Sequence, residues 1–480
     1  MTVPTGGGTD RGPAVFQKIL IANRGEIAVR IARTCREMGI ATVAVHSTAD
    51  RDGRAAAYAD ETVQIGPPPA RRSYMYVPAI IEAARRTGAD AIHPGYGFLS
   101  EDPDFARICA EHGIAFIGPP PEVMEVAGDK ARVRGLLARA GLPVLPGSDG
   151  TPAALDEALE VARSVGYPVI VKAAAGGGGR GIAVAGTPAE LRRAYRETTA
   201  VARTVFGSGE VYLERYLPAA RHVEVQLLCD AHGAAVHLGE RDCSLQRRRQ
   251  KLIEEAPSPG LSPHLRARLG EYAVTAARAL GYQGAGTVEF LVDPSGRPTF
   301  MEVNARIQVE HPVTEMVTGL DLVREQIRIA AGERLALTQR DVRLTGWAIE
   351  CRINAEDPDA GFRPTPGVLE VFRPPGGPGT RVDSGFAQGD RVPSDYDSLI
   401  AKLVVWAPTR DQAVARADRA LAEFAVGGPG VATTVPLLRE LLAHPEFAAG
   451  RHHTNLVDQM TRPKGDSDVR EDDVRTGAHR

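Results

Sequence analysis

The chain has 480 residues, 43% of them hydrophobic and 24% charged, with a formal net charge of -3 at neutral pH, enough for two to four domains with ample core. A near-neutral balance without a basic block argues against nucleic acid or a membrane surface as the main partner, no apolar run approaches a membrane span, and MTVPTGGGTDRGP lacks the apolar stretch of a signal peptide. Five scattered cysteines without CxxC spacing indicate neither a disulfide framework nor a zinc site, so a reducing cytoplasm is the expected home.

Residues 15 to 46 read strand, helix, strand: VFQKILIA, then EIAVRIARTCREMG with Gly39 as the helix stop, then ATVAVHS. This βαβ start predicts a parallel sheet. GADAIHPGYGFLSED and GIAFIGPPPEVM each place a strand before a Gly/Pro-rich loop, and the first domain is expected to end near residue 127. His93 and Tyr96 in the first of these loops read as a structural turn at least as well as site residues. From 128, the helix GDKARVRGLLARAG leads to two strands within YPVIVKAAAGGGGRGIAVAG, and then to VYLERYLP, RHVEVQLLCD and AAVHLGERDCS. Short antiparallel strands around a glycine hairpin predict a small mobile module on a larger sheet. Near 350, after GWAIECRINAED, a third region of mixed strands and Pro/Gly turns begins and runs to about 462. The remaining residues lack apolar periodicity and are expected to be a disordered tail.

Four consecutive glycines, Gly176 to Gly179, cost backbone entropy and add nothing to a core, so they need a reason. A Walker A loop would end in GK[ST], and a dinucleotide fingerprint would open a helix. Here Lys172 precedes the glycines and a strand follows. Lysine is scarce in this chain: of 57 basic residues only Lys18, Lys130, Lys172, Lys251, Lys402 and Lys464 are lysine. A compact ammonium suits phosphate whereas guanidinium is a planar fork, so each lysine is a weak pointer to a site.

The segment TVEFLVDPSGRPTFMEVNARIQVEHP carries the most chemistry. VDPSGRP reads as a hairpin turn, and a two-residue Ser295–Gly296 loop would set Glu289 opposite Glu302. Opposed Cβ atoms lie roughly 4.5 to 5.5 Å apart, where two carboxylates repel by about 3 kcal/mol at an effective dielectric near 20. Something positive should sit between them. The second strand then alternates over ten residues, with Met301, Val303, Ala305, Ile307 and Val309 toward the core and Glu302, Asn304, Arg306, Gln308 and Glu310 on the other side; His311 by the same alternation points away. A solvated face would explain alternation, but not an opposed carboxylate pair. Two carboxylates and an amide oxygen suit Mg²⁺ or Mn²⁺, which leave positions for substrate phosphates. With Lys130 and Lys172 beside a glycine hairpin, the pattern points to nucleoside triphosphate binding.

ANRGEIAVRIART, HPGYGFLSE, VIVKAAAGGGGRGI, ERDCSLQRR, EFLVD, MEVNARIQVEHPVTE and ECRINAED closely resemble biotin carboxylase, the ATP-grasp component of biotin-dependent carboxylases, over about residues 15 to 460. The resemblance implies an α/β fold in three parts: a Rossmann-like domain to residue 127, an ATP-grasp domain with a mobile glycine-rich lid over 128–343, and a C-terminal domain over 344–462, before a tail over 463–480. It implies ATP and a divalent metal as cofactors, and often a homodimer. Carried over by position, Lys130 and Lys172 contact ATP phosphates under the lid glycines Gly176, Gly177, Gly178, Gly179 and Gly181. Glu214 and Leu217 reach the adenine, and His222 and Gln246 lie near the ribose. Glu289, Glu302 and Asn304 hold the metal. Lys251, Arg306, Gln308 and Val309 form the bicarbonate pocket, Glu310 is the general base, and Arg352 steadies the biotin enolate. Arg249, Ala175 and Arg215 depart from residues common in the family, at a ribose contact, the start of the lid and the adenine edge.

The implied reaction forms carboxyphosphate from bicarbonate and ATP, then carboxylates biotin. None of the six lysines has a methionine beside it, so the biotin acceptor lysine is absent from this sequence and a biotin carboxyl carrier protein and a carboxyltransferase are expected in trans. Acetyl-CoA or propionyl-CoA is the expected final acceptor, with pyruvate and urea sharing the first step. Another ATP-grasp ligase joining a carboxylate to an amine would share Lys130, Lys172, Glu289 and Glu302, whereas RIQVEHP and Arg352 favour bicarbonate and biotin. A nucleotide-binding regulatory protein without turnover would have no use for Glu310, Arg306 and Arg352.

Overall fold

An amphipathic helix between two apolar strands must bury one face on a sheet, and the N-terminal region does so repeatedly. The computed structural model describes residues 16–174 and 181–461; the expected tail and the lid residues Ala175 to Arg180 lie outside the described residues. Strand β1 (Lys18–Ile21) feeds helix Gly25–Met38, ended by Gly39 at φ 74°, and β2 (Ala41–Ser47) follows as the sequence predicts. With β3 (Glu61–Gly66), β4 (Ala91–His93) and β5 (Ala115–Phe116) they form a parallel sheet in the order β3-β2-β1-β4-β5.

Strands β6 (Val169–Ala173), β7 (Ile182–Ala185) and β8 (Val211–Arg215) make a separate three-stranded antiparallel sheet. It packs its own small core against helices Leu155–Val165 and Pro188–Phe206. This is the glycine-hairpin module expected from the sequence.

The body is an eight-stranded sheet. Its strands are β9 (Arg221–Cys229), β10 (Ala235–Arg247), β11 (Gln250–Ala256), β12 (Gly284–Val292), β13 (Pro298–Asn304) and β14 (Trp347–Asn354), continued by β19 (Thr380–Ser384) and β21 (Leu399–Ala407). Short ladders β15 (Glu356–Asp357) with β16 (Arg363–Pro364), β17 (Gly367–Val368) with β20 (Arg391–Val392), and β18 (Val371–Arg373) with β22 (Ala425–Gly427) decorate the C-terminal end. The order β13-β12-β9-β10-β11-β14-β21-β19 carries hydrogen bonds across residue 343, so the third region of the chain extends the sheet of the second.

The back of this sheet is apolar. Val223, Val225, Val288, Phe290 and Val303 meet helix Pro263–Leu280, and Ile349, Cys351, Leu403 and Val405 meet helices Arg410–Glu423 and Val435–Ala443. The front is covered by the N-terminal sheet's first helix and by helices His311–Thr318 and Leu322–Ala330. No helix among the described residues is long and apolar enough to cross a membrane.

Two local expectations need correction. The hairpin loop is three residues, Pro294 to Gly296, closed by Asp293 with Arg297, with Gly296 at φ 81° and Asp293 Oδ1 accepting the Ser295 and Arg297 amides. An extra residue at Met301 then shifts the register back, and Glu289 does oppose Glu302. The alternating strand ends at Asn304 rather than continuing to Glu310; residues 305 to 310 turn into helix His311–Thr318.

Candidate active site

The front of the large sheet carries a row of ionisable side chains. Across the ladders Glu302 opposes Glu289, Glu289 opposes Glu224, and Glu224 opposes Arg241. Farther along, Glu254 opposes Glu350, Arg352 opposes Lys402, and Lys402 opposes Asp383. A bulge at Leu252 joins the two halves: Gln246 pairs with Lys251 but Leu245 with Ile253. Leu252 and Ile253 therefore both enter the back core, and Lys251 and Glu254 both face front. Burying so many charges costs stability unless each is paired, and such clusters concentrate at functional sites.

Glu289 lies one strand in from the edge of this row. Its Oε2 is 2.8 Å from His222 Nε2, and its Oε1 accepts Asn304 Nδ2 (2.9 Å), Gln308 Nε2 (3.2 Å) and Lys251 Nζ (3.3 Å). Burial alone would lower the His222 pKa, but the Glu289 carboxylate outweighs it and raises it. Burial would likewise raise Glu289, yet Lys251 and His222 hold it well below the carboxylate range. Glu302 has its own cation, Lys130 Nζ at 3.1 Å, whose pKa Glu302 raises. The expected positive charge between the two glutamates is thus present as separate partners. The Glu289 and Glu302 carboxylates with the Asn304 amide oxygen are hard donors on adjacent strands and fit a magnesium-like ion. His222, expected near a ribose, bonds Glu289, one of the expected metal ligands.

Glu310, at the start of helix His311–Thr318, is fully buried. Lys251 Nζ lies 2.5 Å from its Oε1 and Arg352 Nη2 2.8 Å from its Oε2. Lys251 also bonds Glu224 Oε2 at 2.8 Å, and Arg352 Nε bonds Glu254 Oε1 at 2.6 Å. Burial would push Glu310 up, but Lys251, Arg352 and Arg241 hold it well below its ordinary value. Arg306 points from the same turn to Gln308 Oε1 (2.7 Å), Asn304 Oδ1 (3.2 Å) and Glu101 Oε2 (2.8 Å). The Val309 carbonyl accepts Lys402 Nζ at 2.8 Å. Two expected groups, Lys251 and Arg352, thus each hold one oxygen of this buried carboxylate, while Arg306 is bonded to other groups of the same turn and to Glu101.

Lys172 on β6 bonds Glu214 Oε2 on β8 at 2.5 Å, with Arg134 Nε 3.6 Å from the other oxygen. An entering polyphosphate would compete for Lys172. Gly181, the described end of the lid, has φ 65° and accepts the Ala173 amide. Leu217 is half-buried just beyond β8, and Gln246 stands at the rim of the β10–β11 hairpin. The turn of that hairpin holds Arg248 and Arg249 at positive φ. Sequence reasoning missed Glu224, Arg241, Glu254 and Glu350, because each is partnered from another strand rather than along its own. Lys402 was marked by lysine scarcity alone; it is buried, and its Nζ lies 2.9 Å from Glu26 Oε1, which also accepts the Tyr96 hydroxyl. His93 and His311 are buried too, the latter with Nδ1 on the Gln308 carbonyl at 2.7 Å.

Residues 15–124 match the biotin carboxylase N-terminal domain, 129–338 the carbamoyl-phosphate synthase L chain ATP binding domain, and 350–459 the biotin carboxylase C-terminal domain. The chain is 54% identical over 447 residues to the biotin carboxylase of Nostoc sp., covering 93% of this chain and 100% of that protein. It is 50% identical over 448 residues to one of the pyruvate carboxylase components of Methanothermobacter thermautotrophicus, covering 93% and 91%. The crystal structure of the biotin carboxylase domain dimer of Hydrogenobacter thermophilus 2-oxoglutarate carboxylase, in complex with MgADP, ADP and bicarbonate, is similar at a TM-score of 0.90 and 49% identity, over 92% of this chain and 97% of that one. With that identity spread over all three regions, the chain belongs to the biotin carboxylase family of ATP-dependent ligases.

Proposed function

We propose that this enzyme uses ATP and bicarbonate to carboxylate biotin held on a separate carrier protein, as the first half-reaction of an acyl-CoA carboxylase. The observation that carries the reading is the buried Glu310 with a cation on each oxygen. A carboxylate held this far below its ordinary pKa is a poor base. When an anion such as bicarbonate enters beside Lys251 and Arg306 it takes up part of their charge, and the proton affinity of Glu310 rises. The substrate itself thereby switches on the base that deprotonates it.

Lys130 and Lys172 would hold the transferring phosphates, and the deprotonated bicarbonate oxygen would attack the γ-phosphorus in line, giving carboxyphosphate and ADP. Glu289, Glu302 and Asn304 would hold a magnesium ion, which when bound would supply charge neutralisation at the phosphates. Carboxyphosphate then yields CO₂ and a phosphate that takes the ureido N–H proton. Arg352 would face the ureido oxygen as it becomes negative, a task for a fixed, always-charged fork. Exclusion of water by the lid would protect the intermediate.

Carriage of biotin in trans is part of the proposal, and turnover on a separately supplied biotinylated carrier tests it. The acceptor is proposed as acetyl-CoA or propionyl-CoA; the relatives include pyruvate and 2-oxoglutarate carboxylase components, so pyruvate and 2-oxoglutarate are the controls in a coupled assay with carrier and carboxyltransferase. A homodimer is proposed from the dimeric Hydrogenobacter domain, and a cytoplasmic location accompanies the reading.

The experiment is ADP release with Mg-ATP, with and without bicarbonate and free biotin. Release should need bicarbonate, rise with biotin, and fall about 10²- to 10⁴-fold in Glu310→Gln while Mg-ATP still binds. Release indifferent to bicarbonate and biotin would overturn the reading in favour of a carboxylate–amine ligase.

A further inference from the structure

Glu254 on β11 and Glu350 on β14 stand directly opposite each other and are fully buried. Glu254 Oε1 accepts Arg352 Nε. Glu254 Oε2 and both oxygens of Glu350 are buried without a hydrogen-bond donor among the described residues. Opposed Cβ atoms in a ladder lie about 4.5 to 5.5 Å apart, so two ionised carboxylates buried here would repel.

The cations nearby are already engaged. Arg352, on the same strand, is divided between Glu254 and Glu310. Lys402, on β21, gives its Nζ to Glu26 and the Val309 carbonyl. Lys251 on β11 serves Glu224, Glu289 and Glu310, and Arg241 on β10 serves Glu224. Helix His311–Thr318, packed over β14, brings His311, bonded to the Gln308 carbonyl, and Glu315, held by Arg30 and Arg381. Directly across from Glu350 on β21 is the apolar Val404. Among the described residues no cation bonds Glu350; Lys402 and Arg352 are charges that act on it, and both are shared with other groups, so a proton is the means of completing its neutralisation.

We propose that Glu350 and Glu254 share one proton at neutral pH and act as a positioning pair, keeping a single negative charge behind Arg352 so that its guanidinium stays turned to Glu310 and the reacting ureido group. The proton supplies the missing donor between orphaned oxygens. Were both acids ionised, a second charge would draw the guanidinium back from Glu310; were both neutral, Arg352 would lose its rear anchor. Burial also pushes both acids up, Glu254 to about 7 and Glu350 well above its ordinary value. The proposal rests on the role given above to Arg352 and adds a device that sets its direction.

The test compares Glu350→Leu with Glu350→Gln, an isostere of the protonated acid. Glu350→Leu should lower the kcat of biotin-dependent ADP release at least tenfold with little change in the KM for ATP. Glu350→Gln should restore most of it and move the alkaline limb of the pH profile upward, because the amide cannot ionise. Glu350→Gln as impaired as Glu350→Leu, or an unmoved alkaline limb, would overturn the proposal. Infrared spectra of the unaltered enzyme give a second reading: the carbonyl band of a protonated carboxylic acid should be present at pH 7 and fade as pH rises. Absence of that band at pH 7 would also overturn it. A wild-type enzyme without biotin-dependent turnover would sink the functional reading instead, and the infrared band would still decide whether the pair holds a proton.

Discussion

Lys251 concentrates the site's electrostatics in one side chain. Burial would lower its pKa, but Cys243, Glu224, Glu289 and Glu310 around it raise it well above the ordinary value. Breaking a buried ion pair from one side costs about 3–5 kcal/mol, because the partner is left buried and unpaired. Lys251→Met leaves three carboxylates without their common cation and is expected to lose at least that much stability by denaturant titration, and all bicarbonate-dependent turnover. Lys251→Arg separates charge from shape. It keeps the cation, so stability should fall by less than about 1.5 kcal/mol, but a planar fork cannot reach three convergent oxygens as a compact ammonium does. Its kcat for bicarbonate-dependent ADP release should fall about 100-fold, and a kcat within threefold of wild type would show that only charge matters there.

Elements place these residues through close backbone contacts that side-chain patterns do not report. Gly147 bridges to Glu214 on β8, and the Ser148 amide donates to the Leu213 carbonyl at 2.8 Å. A Cβ at Gly147 would come 2.4 Å from that carbonyl oxygen. Gly147→Ala should therefore push the segment off β8 and shift Glu214, the partner of Lys172, at a cost of about 1–3 kcal/mol for overpacking. The KM for Mg-ATP should rise about tenfold with that for bicarbonate unchanged; an equal rise in both would place the effect in the whole fold. The same scale explains what the sequence shows and hides. The βαβ start is legible because a helix stop and two apolar strands are local. The Glu289–Glu302 opposition is legible for a compensated reason: the loop is one residue longer than the turn residues suggest, and the extra residue at Met301 cancels it. The Glu254–Glu350 pair is illegible, since strands nearly a hundred residues apart meet and the bulge at Leu252 reverses which side Lys251 faces. Periodicity assumes an unbroken strand, and this site is built where strands break.

At the scale of the molecule, three distant parts of the chain are tied by one buried ionic knot. Arg30, on the first helix, bonds Glu315 Oε1 and Asp321 Oδ1, each at 2.7 Å; Arg381 on β19 bonds Glu315 Oε2 at 2.7 Å and Asp383 at 2.6 Å. Glu315 belongs to the helix that begins at Glu310's neighbour His311, so the knot also anchors the base. Burial would raise the Glu315 pKa, but Arg30 and Arg381 hold it below its ordinary value. A folded pKa below the unfolded one, about 4.3, means that the stabilisation is complete above that value and is lost as pH falls through the depressed one. Glu315→Gln leaves each arginine one carboxylate, so the loss should sit near the low end for a broken buried pair, about 3 kcal/mol at pH 7. The deficit should stay constant from about pH 6 to 8 and shrink below about pH 4.5. Glu254 bears the opposite sign, because its folded pKa, about 7, lies above the unfolded value: its contribution is present in acid and fades as pH rises through about 7. Thermal unfolding of Glu315→Gln and Glu254→Gln across pH 4 to 8 should therefore give deficits that change with opposite sign: the first grows as pH rises out of the acid range and is then constant, whereas the second shrinks between about pH 4.3 and 7 and is flat above. A Glu315→Gln deficit that grows toward acid would mean the glutamate is neutral in the fold, and the knot would then be held by Asp321 and Asp383 alone.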